Sequence, residues 1–182
     1  MMPLRSLAAG LLIAGSVLAL PTLASTPSYL QPYLGEAKLL GTGRLTFWGF
    51  HVYDAQLWVS PQGLGSIDAP SQPFALQLTY ARNLKGADIA RRSLEEMRKL
   101  GRAPEARQTE WLAWMNSSFP DVKAGDTLTG VYLPNQGMHL YFNGKPHAQT
   151  ADTAFAQAFF AIWLDARSTA PELRRALIGM RE

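Results

Sequence analysis

The chain contains no cysteine among its 182 residues. That excludes disulfide stapling, thiolate metal sites, thiol nucleophiles and a lipid-modified cysteine, although a domain of this size can build a stable core without disulfides. Histidine is scarce: His51, His139 and His147 are the three, and no two stand at metal-ligand spacing. A zinc site therefore has no carrier. Ser93, Ser117 and Ser118 fall in helical stretches rather than on a G-x-S-x-G elbow, so a serine hydrolase finds no support. Gly41-Thr-Gly43 is too short for a phosphate loop and leads into a strand. No cofactor motif is present, and none is expected. Charge is low at 17%. The pairs Arg91-Arg92 and Arg174-Arg175 lie on helix exteriors, as solvated faces do, so nucleic acid is not an expected partner.

What is present begins with a leader pattern. Arg5 gives a positive start, Leu7 to Leu20 an apolar stretch broken by small residues, and Pro21-Thr22-Leu23-Ala24 a small-residue cleavage signal. This reads as a secretory signal peptide over residues 1–24, with a single domain over 25–182. The apolar run is shorter than the roughly 20 residues of a membrane span, so no span remains after its removal. Loss of Arg5 with no acid lowers the net charge from +3 to +2. The expected location is periplasmic or secreted.

Residues 25–40, with Pro27 and Pro32, read as a lead-in that packs late. Gly41 to Val59 is rich in aromatic and β-branched residues and reads as strand interrupted at Gly49. A two-residue turn at Trp48-Gly49 would set Arg44 opposite Tyr53; a three-residue turn would set it opposite Asp54. Phe74 to Arg82 alternates, with Phe74, Leu76, Leu78, Tyr80 and Arg82 on one face. Helices are expected over Ala87–Leu100 and Glu105–Phe119, then strands over 127–133, 138–142 and 145–147, with Asn143-Gly144 as a type I′ turn.

The run Asp152 to Leu164 is the centre of the chain. It is apolar almost all round, with Gln157 the one polar side chain inside it, so the helix it forms must be buried in protein. Asp152 is its N-cap. A second helix starts at Pro171 with Leu173, Ala176, Leu177 and Met180 inward, and the two are expected to form a C-terminal core unit. Strands, two helices, strands, two helices, with hairpins rather than alternating βα units, give an α+β fold: an antiparallel sheet backed by helices on one face.

The polar residues on otherwise apolar strands are the candidate site: Arg44, Tyr53, Asp54, Tyr80 and Arg82. An arginine among apolar strand residues needs a counter-anion. Asp54 can serve as a cross-strand partner, with Arg82 at the rim; a ligand carboxylate, gripped by the guanidinium fork and a tyrosine hydroxyl, can serve in its place.

Gly41-Thr-Gly-Arg-Leu-Thr, Val52-Tyr-Asp-Ala-Gln-Leu-Trp-Val, Tyr80-Ala-Arg82, Phe159-Phe-Ala-Ile-Trp-Leu-Asp165 and Thr169 through Gly179 together resemble the chalcone isomerase-like family, in its exported bacterial branch. The likeness runs over roughly residues 35 to 180. It implies an open-faced β-sandwich with a ligand cleft between sheet and helices. The family holds true isomerases, which close a flavanone ring, and fatty-acid-binding members, which hold a carboxylate with arginine and tyrosine. Arg44 matches the family's strand arginine. The enzymes' threonine corresponds to Asp54 here, Lys85-Gly86-Ala-Asp-Ile supplies no helix-start tyrosine, and Ser93, Leu94 and Glu95 stand where an asparagine is required. The expectation is a non-catalytic protein that binds a small amphipathic, fatty-acid-like carboxylate, with Arg44 as clamp. The alternatives are an isomerase or intramolecular lyase of unknown substrate, titrating through Asp54 or a tyrosine, and a scaffold whose cleft is closed by side chains.

Overall fold

The computed structural model describes residues 26–67 and 69–180. The expected leader at 1–24 lies outside them. Six strands, β1 (Lys38–Phe47), β2 (Phe50–Val59), β3 (Phe74–Tyr80), β4 (Thr127–Leu133), β5 (Gly137–Phe142) and β6 (Lys145–Thr150), form one antiparallel sheet in chain order. Consecutive strands pair because short turns join most of them. At Asn143-Gly144 both φ angles are positive, 49° and 74°, as a type I′ hairpin requires. The β1–β2 hairpin has the same two-residue turn, at Trp48-Gly49. A register shift beyond Thr46↔His51 leaves Leu45 opposite Tyr53 and Arg44 opposite Asp54. One extra residue in β2 thus does what a longer turn would have done.

Helices α2 (Gly86–Lys99), α3 (Glu105–Ser118), α4 (Thr153–Leu164) and α5 (Pro171–Leu177) cover one sheet face. Towards them point Tyr53, Ala55, Leu57 and Val59 from β2, and Phe74, Leu76, Leu78 and Tyr80 from β3. The central helix begins where expected: Asp152 Oδ1 accepts from the Phe155 N–H at 2.9 Å, and Oδ2 accepts from Trp111 Nε1 at 2.9 Å. Trp111 and Trp114 of α3 meet the Phe155 ring edge-on at 5.6 and 4.8 Å.

Three expectations change. The lead-in is structural: a 3₁₀ turn (Ser28–Leu30) and α1 (Gln31–Leu34) press Leu30 and Leu34 onto the opposite face of the sheet, against Trp58, Ala75, Val131 and Tyr141. Tyr33 OH ties this segment down with bonds of 2.8 Å to both His139 Nδ1 and Tyr141 OH. The two C-terminal helices do not pack chiefly on each other. α5 lies on β1, where Gly41 and Gly43 make room: a Cβ on Gly41 would come 2.1 Å from the Ala176 carbonyl oxygen, and one on Gly43 would come 2.7 Å from Leu173 Cδ1. Finally, α5 ends at Leu177, and Met180 is exposed rather than inward. Among the described residues no helix is long and apolar enough to cross a membrane.

Candidate functional site

The five residues singled out on the strands divide between the two sheet faces. Arg44 and Asp54 face each other across the β1–β2 ladder on the side away from the helices, with Arg44 Nε donating to Asp54 Oδ1 at 2.8 Å. Both side chains are well exposed, 60% and 45%. His51 Nε2 stands 3.2 Å from the same oxygen. Arg44 holds the Asp54 carboxyl below the ordinary aspartate range, so it stays ionised as the guanidinium's partner. On the β1 face towards the helices, the position after Gly41 and Gly43 is Leu45. Arg44 is therefore turned away from the space between sheet and helices, and the counter-anion it needs is Asp54.

Tyr53 and Tyr80 do face the helices. Their rings meet edge-on at 5.9 Å, and Trp163 Nε1 of α4 donates to Tyr53 OH at 2.9 Å. Burial raises both phenols above their ordinary pKa, so each is a neutral hydroxyl at physiological pH. Arg82 lies past the end of β3 and is exposed, its guanidinium 5.8 Å from the Phe50 ring centroid. The structure thus brings together Arg44 with Asp54, and Tyr53 with Tyr80. It does not bring all five to one cavity.

A hollow of about 410 Å³ opens at the other end of the central strands, between β3, β4 and α4. Its base is an aromatic triad: Phe74 stacks on Tyr132 at 5.0 Å and meets Phe160 edge-on at 4.9 Å. Phe160 reaches the sheet because Gly130 has no side chain; a Cβ there would come 2.9 Å from the Phe160 ring. Ile67 and Leu164 extend the apolar lining, and Gln157, Arg102 and Asp165 stand at the edge.

Asp165 is the electrostatic centre of this edge. Its side chain is 5% exposed, and Arg102 donates Nε and Nη2 to Oδ2 at 3.1 and 2.9 Å. Arg167 donates to the same carboxylate from its backbone N–H at 2.9 Å and from its guanidinium at 3.1 Å. The Arg167 bonds, with those from Arg102, hold the Asp165 carboxyl far below the usual carboxylate range. One carboxylate between two guanidinium groups leaves a net positive edge. Each guanidinium carries five N–H donors, more than Asp165 engages, so the cluster can accept a second anion.

Sequence reasoning passed over this site. Its residues come from four separated segments, around 67–74, at 102, at 132–135 and at 157–165, and no periodicity links them. Two local signals exist: a glycine inside an apolar strand, which marks a close approach, and Gln157 alone on an apolar helix.

One antiparallel sheet with helices on one face defines the class of the fold as α+β. The sequence profile of the chalcone isomerase-like family matches residues 31–179, and the chain belongs to that family. An uncharacterized protein of Haemophilus influenzae is 29% identical over 140 residues, 77% of this chain and 67% of its own length. The crystal structure of a fatty-acid binding protein from Arabidopsis thaliana superposes with a TM-score of 0.65, at 11% identity, over 89% of this chain and 95% of that one. At that identity the likeness concerns the fold.

Proposed function

We propose that the protein is a non-catalytic binder of a small amphipathic carboxylate of fatty-acid type, held between sheet and α4 and encountered outside the cytoplasm. The observation that carries this reading is the hollow of about 410 Å³, apolar at its base and cationic at its edge. An acyl chain lies against Ile67, Pro70, Pro134 and Ala161, above the buried rings of Phe74, Tyr132 and Phe160, and its carboxylate meets Arg102 where that guanidinium is already oriented by Asp165. The volume falls in the range of small-molecule sites, roughly 300–1,000 Å³. The Arabidopsis neighbour, named as a fatty-acid binding protein, supports the ligand class.

The isomerase alternative asks for a group that titrates near neutrality. Burial moves Tyr53 and Tyr80 up, and Arg44 moves Asp54 down, so each moves away from that range. The scaffold alternative asks for Arg44 saturated by Asp54 and for no hollow of ligand size. Arg44 does pair with Asp54, while the hollow of about 410 Å³ speaks against a closed cleft.

Displacement of a fluorescent fatty acid tests the reading. Wild-type protein and Arg44→Ala are expected to bind alike, whereas Ala161→Trp, which fills the hollow from α4, is expected to lose at least about tenfold in affinity. Equal binding by Ala161→Trp and wild type would remove the site from the hollow. Loss with Arg44→Ala would return it to the β1–β2 ladder. Export is tested in parallel by the N-terminal sequence of the cellular protein, expected to begin at Ser25.

A further inference from the structure

The β1–β2 hairpin ends in Phe47-Trp48-Gly49-Phe50, and its three aromatic side chains are 54%, 85% and 64% exposed. Single exposed apolar residues are ordinary, but three within one four-residue turn are not. The backbone makes the choice more unusual. Trp48 and Gly49 have φ of 53° and 77°, a type I′ turn, whose first place favours asparagine because a bulky side chain is strained there. The same chain uses that solution at Asn143-Gly144, with φ of 49° and 74°. At the equivalent place in the β1–β2 hairpin it carries tryptophan instead, at a cost in backbone strain and in water-exposed apolar surface. Nothing inside the fold is gained by either, since the Trp48 ring touches the molecule chiefly through Phe47, edge-on at 6.2 Å.

The base of the tip is cationic. The guanidinium of Arg92 lies 5.4 Å from the Phe47 ring centroid and that of Arg82 lies 5.8 Å from Phe50. Arg92 is neutralised by Glu96 at 2.7 Å, while Arg82 makes no ion pair among the described residues. A tight hairpin is convex and narrow, so it penetrates a soft surface. Aromatic rings with an amphipathic edge, followed by an unneutralised arginine, match the order of layers met on entering a bilayer: apolar boundary, then phosphate.

We infer that the β1–β2 tip is an interfacial anchor that seats Trp48, Phe47 and Phe50 in the headgroup boundary of an anionic lipid bilayer, with Arg82 meeting lipid phosphate. The tip lies at the opposite end of β2 from the hollow, so this inference stands apart from the ligand proposed above.

Co-sedimentation with vesicles of phosphatidylcholine alone, or with one third phosphatidylglycerol, tests it, using protein purified from its own cell with the same N-terminus in every variant. The wild type is expected to bind the anionic vesicles, and Trp48→Asn to bind about tenfold less or weaker still. Trp48→Asn installs the residue the turn favours, so its melting temperature is expected to equal or exceed that of the wild type. Arg82→Gln is expected to narrow the difference between the two vesicle types. Lipids brominated along the acyl chain are expected to quench an indole signal that Trp48→Asn lacks, because Trp58, Trp111 and Trp163 are buried and Trp114 is half-buried against Phe119 and Phe155. Undiminished binding by Trp48→Asn, or no vesicle binding by the wild type, overturns the inference.

Discussion

Asp165 shows how much one buried carboxylate organises. It sits at the end of α4, takes bonds from Arg102 and Arg167, and borders the hollow. Its folded-state pKa is depressed, so its contribution to stability is complete above the value of an unfolded aspartate, about 3.9, and is lost as pH falls below it. Asp165→Asn is therefore expected to cost about 1–3 kcal/mol near neutral pH. The difference from wild type should shrink as pH falls towards about 3, because there the aspartate of the unfolded chain takes up a proton that the folded carboxylate does not. Urea titrations at the two pH values check this; a difference that does not change with pH would show that the charge is not what stabilises. At this scale the sequence was legible in part. Strand alternation placed Tyr80 on the core face, and Asp152 was readable as a cap. The face of Arg44 was not, because the bulge in β2 that sets its partner leaves no mark in composition, and a one-residue slip exchanges the faces.

At the scale of elements, Gly41 and Gly43 have a physical reason unconnected with phosphate or with chain reversal. They let the backbone of α5 lie on β1. Gly41→Ala drives a methyl group into the Ala176 and Leu177 carbonyl oxygens and is expected to cost about 1–3 kcal/mol by overpacking. Thr42→Ala, on the exposed neighbouring position, should cost much less. Thermal melts of the two variants make the comparison; equal losses would mean that α5 does not need the glycines. The helices themselves were readable from apolar spacing, caps and the Pro171 start, and the strands from alternation and Asn143-Gly144. What periodicity could not reveal was the partner of each apolar face. A stripe on α5 states that something covers it, and only the register of β1 states what.

For the molecule as a whole, the sheet carries a core on both faces. The larger lies under α2 to α5, and the smaller lies under the N-terminal turns. Leu30 is fully buried in the smaller one, so Leu30→Ala is expected to cost about 2–5 kcal/mol. Chemical denaturation would register this as a lower midpoint with unchanged far-ultraviolet dichroism. A loss near zero would show that the segment is a loose cover rather than part of the fold. Two prolines and a short, unpatterned apolar content hid this segment from sequence reading, since four residues of helix show no periodicity. The class of fold was legible because hairpin signals and paired helices admit few architectures. The hollow was not, because it exists only where distant segments meet.

The seating of α5 on β1 has a consequence for synthesis. A chain released from its first residue onward can add one strand after another to a growing ladder, since neighbours in sequence are neighbours in the sheet. Its opening strand nevertheless waits, with a bare glycine track, until α5 arrives to lie on it. The two ends of the described fold are thereby fastened together, and a product that stops before Pro171 leaves the ladder unlatched at its first rung.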